Sequence, residues 1–222
     1  MAMLVLQGQT PIAKGGQRLV FVHPNDATKL IKVLRTDQRV RRGRAFGRVA
    51  EQLFPSSRIR QIRKEYQEYL RTMLANPDPH FRCPIAHMFG FVATDIGLGC
   101  LTEHVMEPDG TTGPTIGALA KSGDLGQAEV DLLNDTVARI YRHNIRASDM
   151  NASNFVVGHR FEGNDMGSRE CVLVDGFGDI HAIPVRSMAR WSNRLGLDDS
   201  CKRLARPTKL NWDVTTKKFM LQ

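Results

Sequence analysis

The stretch 145–178 constrains this chain more than any other part of it. It opens with IRASDMNASNFVV and closes with CVLVDGFGD. Residues 155–161 and 170–174 are runs rich in apolar side chains, and Gly, Asn and Asp crowd the positions between them. The pattern predicts two antiparallel strands joined by a loop at 162–169. In such a hairpin the start of the first strand and the end of the second lie at the same end of the ribbon. Asn154 and Asp175 are twenty-one positions apart in sequence, and this topology makes them neighbours in space.

A carboxylate and an amide oxygen on rigid strand ends are hard oxygen ligands, of the kind that share a magnesium ion with substrate phosphates. Asp149, five residues ahead of Asn154, is then placed to orient a nucleophile or accept its proton. The pattern D-x-x-x-x-N followed by D-G-F-G resembles the catalytic and metal-binding loops of protein kinases, with one residue inserted relative to the usual Asp-Phe-Gly. The same residues also have ordinary uses. Asp149 and Asn154 can shape a loop, and Asp175-Gly176 can be a turn at a strand end.

Ahead of this segment, residues 18–23 and 28–34 read as a β-hairpin around His23-Pro24-Asn25-Asp26. Lys32 shares a strand face with Leu30 and Leu34, so its stem is expected to be half buried, as suits a positioned cation or a snorkelling lysine. Ile62, Tyr66, Tyr69, Leu70, Met73 and Leu74 recur at helical spacing and predict an amphipathic helix that stops before Asn76-Pro77. On that wheel Glu65 flanks the apolar stripe, while Glu68 points nearly opposite and is expected in solvent. Residues 85–95 and 98–106 read as two further strands. A break at Glu107-Pro108-Asp109-Gly110 then precedes a helix marked by Val130, Leu133, Val137, Ile140 and Tyr141. Gly15 and Gly16 precede the first strand and would let backbone amides approach phosphate oxygens, or simply form a turn. Residues 184–206 predict one or two closing helices with Trp191 as a core anchor.

Taken together, the chain resembles the small YrbL family, named for the PhoP regulatory network and itself protein-kinase-like. The resemblance runs through KGGQRLVFVHPNDATKLIKVL, RKEYQEYL, HNIRASDMNASNFVVGHRF and VLVDGFGD, roughly residues 10–180. It implies an α+β, compact protein-kinase-like fold. A β-rich, nucleotide-covering N-terminal lobe would span 1–106. A reduced, mainly helical C-terminal lobe would span 107–222 and hold the catalytic-like loop, the metal-binding hairpin and the closing helices. It further implies ATP between the lobes, Lys32 paired to Glu65, Asn154 and Asp175 at Mg2+, and a hinge at 102–106 that offers backbone groups of residues such as Glu103 and Val105 to adenine.

Two departures narrow what the resemblance carries. Ala147-Ser148 stand ahead of Asp149 where His-Arg would brace the catalytic carboxylate, and the 44 residues after Gly178 contain no Ala-Pro-Glu element. A conventional protein-substrate kinase does not fit. The expected activity is transfer of a γ-phosphoryl group from ATP to an unidentified hydroxyl, on a small-molecule or protein acceptor. A nucleotide- or partner-binding pseudokinase module is the alternative.

Composition bounds these readings. The chain is 41% hydrophobic and 24% charged, which suits a globular protein. No run approaches 18 apolar residues and the N-terminus lacks a basic, apolar leader, so no membrane segment and a cytoplasmic setting are expected. The four cysteines are dispersed, which predicts reduced, partly buried thiols. Residues 35–64 hold ten Lys or Arg against Asp37 and Glu51, an excess equal to the whole net charge of +8. Such a run could attract nucleic acid, coat a solvated helix or draw an anionic substrate, and the solvated helix is the commonest outcome.

Overall fold

The structure is a computed structural model that describes residues 3–15, 18–34, 56–162, 165–179 and 185–222. Gly16 and most of the basic run, residues 35–55, lie outside the described residues. The chain is mixed α+β and forms two compact units, one from Met1–Arg60 with His87–His104 and one from Gln61–Ala86 with Val105–Gln222. Residues 61–86, which precede the linker in sequence, therefore cluster with the second unit.

The first unit is an antiparallel sheet of β1 (Ala13–Lys14), β2 (Arg18–His23), β3 (Asp26–Leu34), β4 (Met88–Thr94) and β5 (Gly97–Glu103), in the order β1-β2-β3-β5-β4. Alternation sends Phe21, Ile31 and Val33 into a core with Leu6, while Lys32 lies on the other face of β3 with Leu30 and Leu34. The turn between β2 and β3 is fixed by Asp26. Its carboxylate takes the Thr28 hydroxyl and the Lys29 ammonium, and these partners, Lys29 first, hold its pKa down at about 2. A short N-terminal strap is pinned to the sheet where Asp95 accepts from the amides of Leu6 (2.7 Å) and Gln7 (3.0 Å). Those amide bonds hold the Asp95 carboxyl below its ordinary range.

Helix α1 (Ser56–Ala75), which belongs to the second unit from Gln61 onward, is followed by α2 (Ile116–Ser122) and α3 (Gln127–Arg142). Val130, Leu133, Val137 and Ile140 of α3 are fully buried, as their spacing predicts. Strands β6 (Phe155–Glu162) and β7 (Asp165–Leu173) pair antiparallel with Phe155 opposite Leu173. Pairing continues to Glu162 opposite Asp165, so most of the loop expected at 162–169 is strand, accommodated by a register shift between His159 and Phe161. The Gly/Asn/Asp composition does not end the ladder early. Helices α4 (Val185–Met188) and α5 (Arg190–Thr208) follow, then a closing hairpin, β8 (Leu210–Asp213) and β9 (Lys218–Leu221).

That last hairpin was not expected from the sequence. It docks through Asn134, whose carboxamide donates to the Phe219 carbonyl (2.9 Å) and accepts from its amide (2.7 Å). Trp191, expected as a core anchor, is 69% exposed, while Leu197 and Leu204 supply the buried face of α5. One helix face holds only so many large side chains, and the leucines occupy it. All four cysteines are buried outside any disulfide, and burial pushes the Cys171 and Cys201 thiols up. Among the described residues, no helix is long and apolar enough to cross a membrane.

Candidate functional site

The end of the β6–β7 ribbon is where the chemistry-bearing residues of the second unit gather. Because Phe155 pairs with Leu173, the residues just outside the ladder meet, and the Val174 amide donates to the Asn154 carbonyl (2.8 Å). Asp175 is the next residue. A single 3-10 turn, Ala152–Asn154, leads into β6 and is capped by Asn151, whose side chain accepts from the Ser153 amide. This turn folds Asn154 back onto the preceding loop, where its Nδ2 donates to the Asp149 carbonyl (2.9 Å). With the nitrogen committed as donor, the carboxamide oxygen is the atom left to face a cation.

The loop carrying Asp149 and the turn carrying Asp175 are stitched together by main-chain bonds. The Asp149 amide donates to the Gly176 carbonyl (3.0 Å), the Gly178 amide donates to the Arg146 carbonyl (2.7 Å), and the Ser148 hydroxyl donates to the Gly178 carbonyl (2.8 Å). Gly176 has φ +78°, and a Cβ there would fall 2.1 Å from the Asp149 carbonyl oxygen and 2.9 Å from Asn154 Nδ2. Only glycine permits so close an approach. Gly178, at φ +93°, does the same against the backbone of α1, where a Cβ would meet the Lys64 carbonyl oxygen at 2.7 Å. The brace that Ala147-Ser148 could not supply through a His-Arg pair is thus made by backbone groups and one hydroxyl.

Helix α1 turns a polar face inward. Glu65 and Glu68 are each 3% exposed and Thr72 is buried with them, whereas Leu70 and Leu74 of the expected apolar stripe are largely exposed. Glu68 is therefore not the solvent-facing residue that the helical wheel predicts. Its carboxylate accepts from the Arg146 amide (2.8 Å), from Arg146 Nη1 (3.3 Å) and from Arg71 Nε (3.1 Å), and these charge-assisted bonds offset its desolvation. Arg71 also donates to the Asn144 carbonyl (3.0 Å), and Asn193 of α5 donates to the Ile145 carbonyl (3.1 Å). The segment leading to Asp149 is held from two helices.

Gln61 was not singled out by sequence reasoning, although its i,i+4 spacing to Glu65 was visible. Its Nε2 donates to Glu65 Oε1 (3.0 Å) and reaches Asp175 Oδ1 (3.4 Å), so one carboxamide ties Glu65 to the turn. Asp175 Oδ1 also accepts from the Gly176 amide (2.7 Å). The structure thus brings together Glu65, Asp149, Asn154 and Asp175, all within the second unit.

Lys32 is 7% exposed on β3, paired in register with Val20 on one side and Cys100 on the other. The Gly15 amide closes the turn ahead of β2 by donating to the Arg18 carbonyl (2.9 Å). In the stretch 102–106, the Glu103 amide donates to the His87 carbonyl (3.0 Å) and its side chain accepts from the His87 amide (3.2 Å). The Val105 carbonyl accepts from Gly113 (3.0 Å), while the Val105 amide donates to no group among the described residues. His104, between them, bonds the Ala27 carbonyl through Nδ1 (2.8 Å), and burial holds its imidazole below the ordinary value against the pull of that carbonyl.

Fold and site together define an α+β protein whose two acids and one amide converge at the end of a hairpin, beside a helix with inward-facing carboxylates. The family described as PhoP regulatory network protein YrbL matches residues 4–209, and the chain belongs to that family. No curated protein matches the sequence.

Proposed function

We propose that this chain is a kinase-like phosphotransferase that moves the γ-phosphoryl group of ATP to a hydroxyl acceptor with the help of Mg2+. The observation that carries this reading is the convergence of Asp149, Asn154 and Asp175, fixed by the backbone stitching around Gly176. Asn154 Oδ1 and the Asp175 carboxylate are hard oxygen donors of the right type for magnesium and would hold the ion. When bound, the ion would neutralise charge on the phosphates.

The chain's own groups do the rest. Asp149, exposed and fixed through its main chain, accepts a hydrogen bond from the acceptor hydroxyl and directs its lone pair in line with the γ-phosphorus. Lys32 offsets charge on the α and β phosphates, and the Val105 amide serves as the donor for an adenine ring nitrogen. Glu65 and Gln61 hold the Asp175 turn in place. The stripped His-Arg positions favour a non-catalytic nucleotide-binding module, while the bonds from Ser148, Asp149 and Gly178, which brace the same loop, support the catalytic reading. A cytoplasmic setting belongs to the same reading.

The test is transfer from γ-labelled ATP. Asp149→Ala is expected to lower it by about 10²-fold or more, the usual loss for a positioned acid-base group, with nucleotide binding retained. Equal turnover in the variant and the native chain would remove Asp149 from the mechanism.

A further inference from the structure

Beside Asp149 the second unit has a cavity of about 410 Å³, lined by Ser148, Asp149, Met150 and Asn151 from the loop and by Arg203, Leu204 and Pro207 from α5. This volume falls within the range of about 300–1,000 Å³ usual for small-molecule sites. Its walls are chemically distinct. Asp149 supplies a carboxylate from the loop, Arg203 supplies a guanidinium from the helix, and Leu204 and Pro207 add apolar surface beside that guanidinium.

Arg203 is an exposed cation on α5. Among the described residues it forms no ion pair, and its Nη2 donates to the neutral Ser200 hydroxyl (3.0 Å). The same hydroxyl takes Nη2 of the buried Arg186 (2.9 Å), so two guanidiniums converge on one uncharged oxygen. Asp179 and Asp199 offset part of this repulsion at Arg186, and an anion at the exposed Arg203 would offset more of it.

We propose that this cavity is the acceptor site, and that the acceptor is a small hydroxylated oxyanion, a polyol phosphate or carboxylate, anchored by Arg203 with one hydroxyl presented to Asp149. The inference rests on the phosphotransferase reading and names its substrate class. The two opposite charges orient the molecule one way only, because Asp149 repels the oxyanion that Arg203 attracts. The carbon skeleton packs on Leu204 and Pro207. In the transfer step the acceptor oxygen forms a bond to the γ-phosphorus, and the bond from that phosphorus to the β,γ-bridging oxygen breaks with its electron pair left on ADP. The hydroxyl proton passes to the Asp149 carboxylate and from there to water.

Binding is measured on the full chain by saturation-transfer NMR without nucleotide, using sn-glycerol 3-phosphate, D-glucose 6-phosphate and D-glycerate, with glycerol and D-glucose as neutral counterparts. At least one anionic probe is expected to bind, and its neutral counterpart to bind about tenfold more weakly or worse. Arg203→Ala is expected to weaken the anionic probe by about tenfold, and Arg203→Lys to recover part of the loss, since the charge returns without the planar fork. Arg206→Ala removes the same charge from the same helix outside the cavity lining, and is expected to leave affinity alone. The proposal is overturned if no anionic probe binds, if neutral probes bind as well, or if Arg203→Ala and Arg206→Ala behave alike. In those cases magnesium-dependent ATP binding, followed separately by thermal shift, can still stand. Arg203-dependent binding of a probe to a chain that never binds Mg-ATP overturns the acceptor role together with the phosphotransferase reading.

Discussion

The middle of the β6–β7 ribbon and its Asn154–Asp175 end handle charge in different ways. On β7, Glu170 is buried among three guanidiniums, Arg82 at 3.2 Å, Arg139 at 3.3 Å and Arg160 at 3.4 Å. Two of those arginines also grip backbone: Arg139 donates to the Arg82 carbonyl, and Arg160 to the carbonyls of Cys83 and Ile85. Glu170 is thus committed to holding the 82–85 segment against the ribbon. At the other end Asp149 is exposed, meets no cation among the described residues, and is fixed by its own amide and carbonyl. A carboxylate enclosed by guanidiniums serves the fold, and one positioned through its backbone keeps its oxygens uncommitted.

The largest effect that breaks or sharpens this comparison is expected at Glu170. Glu170→Ala removes the buried carboxylate that Arg82, Arg139 and Arg160 share and leaves Arg139 the largely exposed Asp135 at 3.0 Å, which costs about 3–5 kcal/mol and is read as a drop in the urea midpoint. Asp149→Ala, by contrast, is expected to stay within about 0.5 kcal/mol of the native stability while losing transfer. If both variants unfold alike, the two ends do not differ as described.

The smallest effect is expected at His104, in the other unit. Its folded-state pKa lies below the ordinary 6.5 because burial disfavours the cation. The folded state therefore binds fewer protons than the unfolded chain, so this stabilisation is complete above pH 6.5 and declines as pH falls towards the folded value. His104→Gln is expected to flatten that part of the stability profile between pH 7 and pH 5. An unchanged slope would place the acid sensitivity elsewhere.

Some of this arrangement was legible in the sequence, and the misses have physical causes. The approach of Asn154 to Asp175 follows from hairpin topology alone, since residues just outside the first and last ladder pairs must meet. The α3 core was equally plain, because Val130, Leu133, Val137 and Ile140 sit in an apolar surround where periodicity and burial agree. On α1 they disagree. Glu68 is buried because Arg146, seventy-eight residues away in sequence, brings both an amide and a guanidinium to it. No wheel drawn from α1 alone contains that partner. Trp191 failed for a related reason: its size suggested a core position, yet the interior of α5 was taken by Leu197 and Leu204. The bracing of Asp149 by Gly176 and Gly178 was hidden too, since the glycines were visible but the chain segments they let approach were not.

The central claim is that Asp175 and Asn154 bind a metal-nucleotide complex, and ligand-induced thermal shift tests it most directly. For the native chain, ATP is expected to raise the melting temperature only when Mg2+ is present, and Asp175→Ala to lose that increment whatever its own starting temperature. An ATP-induced shift that survives Asp175→Ala or chelation of magnesium, or no shift in the native chain at all, would contradict it.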